Sequence, residues 1–238
     1  MADEREILMK TVGLIGGIGP ESTIEYYRLI ISLYRERVPD GNYPPIFINS
    51  INMIQMLDLI GAKHLLEVTQ YLKDEIEKLA RAGADFGLLA SNTPHLVFDG
   101  LQAASPIPLI SIVEATCRRA KELGLERLAL FGTRFTMQGG FYSRESEKHE
   151  MTIILPSDND QEYIHEKYMS ELVHGTILKE TKAGLLSIAD RLKKEQTIQG
   201  LILGGTELPL ILKEGDDPDI PFLDTTRIHV ERVVSELL

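Results

Sequence analysis

At 238 residues, 43% hydrophobic and 26% charged, the chain has enough apolar surface for a large core in one big domain or two lobes. A net charge of −11 argues against a nucleic-acid footprint, which needs a Lys/Arg-rich face, although backbone N–H groups and one or two local cations can still hold a small anion. No apolar run is long enough to span a bilayer, and the acidic start Met1 to Glu6 has no signal-like hydrophobic region, so a cytoplasmic protein without a membrane partner is expected.

The first predicted strand is Thr11 to Ile15, followed by Gly16-Gly17-Ile18-Gly19-Pro20-Glu21-Ser22-Thr23. The glycines permit a tight turn, and Pro20 and Glu21 suit a helix start. A dinucleotide fingerprint fails here. Ser22 takes the third glycine's place, and the acid at the right distance, Asp40, sits in a loop before the next strand. The turn reads as a backbone cradle for a small carboxylate, or as a tight βα turn alone. Ile24 to Val38 predicts a helix, and Ile46 to Ser50 a second strand that ends in Asn49 and Ser50. Lys63 to Ala82 carries Leu65, Val68, Leu72, Ile76 and Leu79 on one stripe, an amphipathic helix stopped by Gly83. The apolar run Gly87 to Ala90 then delivers Ser91, Asn92 and Thr93 to the carboxyl end of a buried strand, with Pro94 opening the next helix. His95 is a spare acid/base or, in the leading reading, a first-turn hydrogen-bonding residue. A fourth strand, Leu109-Ile110, precedes a helix holding Cys117, the chain's single cysteine. It reads as a half-buried structural thiol, and one cysteine allows neither an intrachain disulfide nor a Cys-based zinc site. His64, His95, His149, His165, His174 and His229 show no metal-ligand spacing, so no metal is expected.

The pattern then restarts. Arg127 to Thr133 mirrors the first strand, Thr152 to Ser157 the second, Leu201 to Glu207 the third and Ile220 to Thr226 the fourth. Matched elements offset by about 110 residues indicate duplication. The fold class expected is α/β, two pseudo-symmetric, doubly wound parallel-sheet lobes with an interlobe cleft. The first lobe is assigned residues 1–106 plus 222–238, the second 107–221, with the final helix packing back on the first.

The strings GLIGGIGPEST, ASNTPH, LFGTRFTMQGGFY, LILGGTELPLIL and LDTTRIH, in this order from end to end, closely resemble the aspartate/glutamate racemase family. The resemblance implies a cofactor-free site between the lobes, a small acidic amino acid or related carboxylate as ligand, and a homodimer. It also implies two cysteines facing each other across the substrate's α-carbon, in Cys-Asn-Thr and Gly-Cys-Thr-Glu motifs. Ser91 and Gly205 stand at those two positions here. By the same motif match, Gly17, Asn49, Asn92, Thr93, Thr133 and Thr206 would bind substrate. Glu207 would hold its ammonium, act as a base, or serve only as a helix N-terminal acid.

A serine hydroxyl that ionises near ~15.7, as water does, is a far weaker base source than a thiol near ~8.5. At about 1.36 kcal/mol per unit the difference is roughly 10 kcal/mol, and Gly205 has no acid or base at all. Weak or altered racemisation is therefore the first expectation. A decarboxylase-like reaction and non-catalytic carboxylate binding are the alternatives. In each case Ser91 and Gly205 should lie across one cleft.

Overall fold

The computed structural model describes residues 9–39 and 41–238. Met1 to Glu6 and Asp40, which entered the reading above, lie outside the described residues.

The first sheet contains β1 (Val12–Gly16), β2 (Ile46–Ser50), β3 (Phe86–Leu89) and β4 (Leu109–Ile110), all parallel, in the order β2-β1-β3-β4. The second sheet, β5 (Arg127–Gly132), β6 (Thr152–Ile154), β7 (Gly200–Gly204) and β8 (Phe222–Asp224), repeats that order as β6-β5-β7-β8. The duplicated α/β pattern is thus present in the backbone, with helices closing each crossover. In the first half these are α1 (Pro20–Arg37), α2 (Met53–Gly61), α3 (Leu65–Ala82) and α4 (Phe98–Ala104), the last preceded by a 3-10 turn at Thr93–Val97. Then α5 (Ile112–Glu122) leads to the second half with α6 (Arg134–Gln138), α7 (Phe141–Glu147), α8 (Asp158–Ser170), α9 (Lys179–Gln196), α10 (Leu208–Ile211) and α11 (Thr225–Leu237). No helix among the described residues is long and apolar enough to cross a membrane.

Helix α3 illustrates how the sequence sets an element. Val68, Leu72, Ile76 and Leu79 are buried along one side, each worth about 1.5–3 kcal/mol when removed from water. Gly83 then adopts φ 102° and turns its N–H back to the helix, ending it.

The expected lobe boundaries move. Leu109 and Ile110 pair with Gly87 and Leu88, so β4 completes the first sheet although it was assigned to the second lobe. Phe222 to Asp224 pair with Leu201 to Leu203, so β8 completes the second sheet although it was assigned to the first lobe. The chain crosses after each of these strands. Helix α5 adds Ile112, Val113 and Cys117 to the second core, while α11 adds Val230, Val233, Val234 and Leu237 to the core around β1, β3 and α1. The last helix therefore does pack back on the first lobe. Short strands bounded by prolines carry too little pattern to reveal which sheet they join.

His229 of α11 fastens this return. Its Nδ1 lies 2.8 Å from Tyr26 Oη and its Nε2 2.9 Å from the Ile110 carbonyl. Burial pulls its pKa from 6.5 to about 4, against an opposing contribution from Ile110. The unfolded chain binds this proton more readily. The neutral ring therefore stabilises the fold fully above pH 6.5, and that stabilisation is lost as pH falls towards 4. Urea midpoints should drop across this interval. The His229→Gln variant should be less stable at neutral pH by about 1–3 kcal/mol, through the partners left unsatisfied, and should lose less on acidification than the parent. An equal loss in both proteins would exclude His229 as the titrating group.

Candidate functional site

The carboxyl ends of β1, β3, β5 and β7 meet at a cavity of ≈ 160 Å³ between the lobes. Ile18, Gly19, Ser91 and Thr93 line it from the first lobe, with Met53 and Leu57 of α2. Thr133, Phe135 and Glu207 line it from the second, with His165, Tyr168 and Met169 of α8 and Val173 beyond. Three sets of polar bonds close the lobes around it.

The first set centres on Glu207, which is 3% exposed. Ser22 Oγ of α1 donates to its Oε1 at 2.5 Å, Thr206 Oγ1 donates to its Oε2 at 2.9 Å, and the Tyr168 hydroxyl donates to Oε2 as well. Ser22 Oγ also lies 2.6 Å from Thr206 Oγ1. Burial, then the Glu207 charge, pushes the Tyr168 phenol well above its ordinary 10.0, so it stays protonated and donates. Among the described residues no Lys, Arg or His pairs with Glu207. Glu207 stands at the N-cap position of α10, but its carboxylate makes no cap hydrogen bond there.

The second set is Asn92, which the sequence offered as a substrate ligand. Tyr142 Oη donates to its Oδ1 at 2.6 Å, and its Nδ2 donates to Thr225 Oγ1 at 3.2 Å. Both ends of the amide are thus spent on the second lobe and the α11 start, and Asn92 is outside the cavity lining. In the third set Thr93 Oγ1 lies 3.2 Å from Thr133 Oγ1, which caps α6 and lies 3.1 Å from Thr136 Oγ1. Thr93 and Thr133 remain on the cavity wall.

With this geometry in place, likeness to known proteins becomes informative. A family model described as Asp/Glu/Hydantoin racemase matches residues 15–233. The chain belongs to this family. It is 24% identical over 238 residues to a broad specificity amino-acid racemase of Bacillus subtilis, covering 95% of this chain and 98% of that one. A crystal structure of a putative Asp/Glu racemase from Yersinia pestis superposes with a TM-score of 0.88 at 33% identity, covering 96% of this chain and 99% of that one. An aspartate racemase homologue from Pyrococcus horikoshii gives 0.84 at 32%, again over 96% and 99%.

The remaining positions taken from the racemase resemblance divide between the cleft and its supports. Ser91 lines the cavity, and its hydroxyl makes no hydrogen bond among the described residues. Gly205 lies behind the Tyr168 ring. A Cβ built there would stand 2.4 Å from Tyr168 Cε2 and 3.1 Å from its Oη. Gly205 is not among the positive-φ glycines, so space rather than backbone conformation requires glycine. Gly17 is such a glycine, at φ 78°, and its N–H is taken by Thr23 Oγ1 at 2.8 Å. The same turn puts Ile18 and Gly19 on the cavity wall and aims Ser22 at Glu207. Asn49 is turned away, its Nδ2 donating to the Glu75 carboxylate of α3 at 2.7 Å.

The His95 backbone N–H donates to the Asn92 carbonyl at 3.0 Å, a first-turn bond, whereas its ring makes none. Its buried ring stacks on Phe98 at 4.7 Å beside a separate cavity, and both nitrogens lack partners. Burial, then His229, pulls its pKa to about 3, while the nearby Ser91 and Asn92 backbone opposes the fall without reaching hydrogen-bond geometry. Cys117 is fully rather than half buried, away from the cleft, with burial and then Glu145 raising its thiol to about 12. Among the described residues no His, Cys, Asp and Glu group is arranged to hold a metal.

Tyr168 escaped the sequence reading, and His165 entered it only as a histidine without metal-ligand spacing, because no element was predicted over α8. The signal existed. Ser157 caps the helix by accepting the Asp160 N–H at 3.3 Å, and Gln161, Ile164 and Tyr168 share its buried side.

Gly205→Cys should cost about 1–3 kcal/mol by overpacking against Tyr168, and Tyr168→Ala in the same chain should recover much of that loss. Urea unfolding of both single variants and the double variant measures the coupling. Strictly additive effects would show that Tyr168 does not fill this space.

Proposed function

We propose that the cleft binds a small α-amino carboxylate without a cofactor, seats its ammonium on Glu207, and carries out α-carbon proton transfer only slowly, through oxygen groups. The observation that carries this reading is the buried Glu207 carboxylate with no basic partner among the described residues. A charge kept from water without a counter-ion costs several kcal/mol, and a ligand ammonium would supply the missing charge. It would also supply protons. Four close contacts join Ser22, Thr206, Tyr168 and the carboxylate, but the three hydroxyls bring only one proton each. An ammonium brings three donors to that cluster. The name of the Bacillus subtilis relative, a broad specificity amino-acid racemase, supports an amino acid as ligand.

The resemblance assigns the family's two thiols to Ser91 and Gly205, and the chain's one cysteine lies elsewhere. Proton removal would then fall to Ser91, an unassisted hydroxyl, opposite the Tyr168 phenol that lines the other lobe. Neither has a pKa near neutrality, where acid–base transfer is most effective. Aspartate or glutamate racemisation at the rate of a two-thiol site is therefore not expected.

Thermal shift and calorimetry should detect amino-acid binding that weakens at least tenfold in Glu207→Gln. Loss of the α-proton in D2O, followed by NMR with chiral analysis, should stay near background for the unmodified protein. Ser91→Cys should raise exchange on one face without inversion. The triple variant Ser91→Cys, Tyr168→Ala, Gly205→Cys should begin to racemise. Brisk racemisation by the unmodified protein would overturn the assignment of slow chemistry.

A further inference from the structure

We infer that the ligand of this cleft carries an apolar side chain, so that the site selects aliphatic or thioether amino acids over aspartate and glutamate. This rests on the reading of Glu207 as the ammonium's partner and extends it to the rest of the ligand.

Ile18, Met53, Leu57, Phe135, Met169 and Val173 account for the cavity wall away from the polar bonds. No Lys or Arg among the described residues is on that wall. The basic side chains that α6 and α8 bring near are already committed. Arg134 places its guanidinium 2.5 Å from Glu162 on the surface, and Lys167 lies 2.6 Å from Glu171. His165 is the remaining nitrogen base at the wall. Its Nδ1 accepts the Arg134 N–H at 3.3 Å, and burial, followed by Arg134, lowers its pKa below 6.5, leaving it neutral at neutral pH. The second carboxylate of an acidic amino acid would therefore enter a space where the described residues supply the carboxylate of Glu207 and no cation. Such a group keeps its charge only with a partner and hydrogen bonds.

An apolar side chain loses nothing by the same transfer and gains from leaving water. Met53 and Met169 stand on opposite lobes and can repack around different shapes, because an unbranched thioether has several low-energy rotamers. The cavity is smaller than the ~300 Å³ at which drug-sized sites begin, which fits one amino acid rather than a peptide. The site would thus discriminate by polarity and tolerate variation in shape.

Calorimetry with both enantiomers of methionine, leucine, aspartate and glutamate, and with the 2-oxo acids of methionine and leucine, tests this directly. Methionine and leucine should bind at least tenfold more tightly than either acidic amino acid. Met53→Lys, or Leu57→Lys if that variant does not fold, should narrow or reverse the ratio by adding the missing cation. Tighter binding of aspartate or glutamate to the unmodified protein would overturn the side-chain inference and leave the Glu207 reading intact. Equal binding of the 2-oxo acids would overturn the Glu207 reading and leave the apolar preference standing. Failure of all the amino acids to bind would overturn both.

Discussion

The arrangement turns on a carboxylate that two lobes share. Glu207 sits at the carboxyl end of β7, yet one of its oxygens is held by Ser22 from the first turn of α1 in the other lobe. Ser22 gets there because the chain leaves β1 through positive-φ glycines. Gly19, at φ 50°, passes so close that a Cβ would stand 2.6 Å from Glu207 Oε1. The turn, the helix start and the buried charge are therefore one constraint. Any side chain at position 19 strains the backbone and strikes the carboxylate together. Loss of the Ser22 or Thr206 hydroxyl leaves part of that buried charge unsolvated, which costs more than an ordinary exposed hydrogen bond is worth.

The lobes are also joined covalently in a way that resists independent motion. The chain crosses from the first sheet into the second core through α5, and from the second sheet into the first core through α11. His229, Tyr26 and the Ile110 carbonyl pin one crossing, while Asn92, Tyr142 and Thr225 pin the strand ends above it. Thr225 continues the chain of bonds to the Leu203 carbonyl of β7 at 2.8 Å. Residues read from the sequence as ligands for a substrate thus serve partly as interlobe staples. Such staples fix the cavity's size, since the walls that contact a ligand cannot separate without breaking buried polar bonds.

The strand positions and their duplication were legible in the sequence because buried parallel strands leave short apolar runs with small polar residues at their ends, as in Leu88-Leu89-Ala90-Ser91 and Ile202-Leu203-Gly204-Gly205. What each polar end does was not legible. Asn92 and Thr93 are neighbours of similar character, yet one faces Tyr142 and Thr225 and the other the cavity. That difference is decided by contacts from residues some 50 to 133 positions away. Lobe boundaries failed for a related reason: β4 and β8 are two and three residues long, and only their hydrogen-bonded neighbours reveal the sheet they join. Tyr168 was missed outright, since its importance comes from where α8 lays it rather than from any motif it belongs to.

Position 205 shows how those two levels meet. Read as a sequence, its glycine is an absence: a motif that lacks its reactive side chain. In the structure it is a requirement, because the Tyr168 ring occupies the space into which a Cβ would project. The same ring delivers the hydroxyl that helps to satisfy Glu207. A side chain at 205 and the Tyr168 ring therefore compete for one space, and one of them must shift to admit the other. Burial keeps the Tyr168 phenol protonated, so it can donate to and orient a neighbour but is a poor proton carrier near neutrality. The space that a side chain at 205 would need and the bond that Tyr168 makes to Glu207 are therefore coupled, and a change at either position is felt at the other.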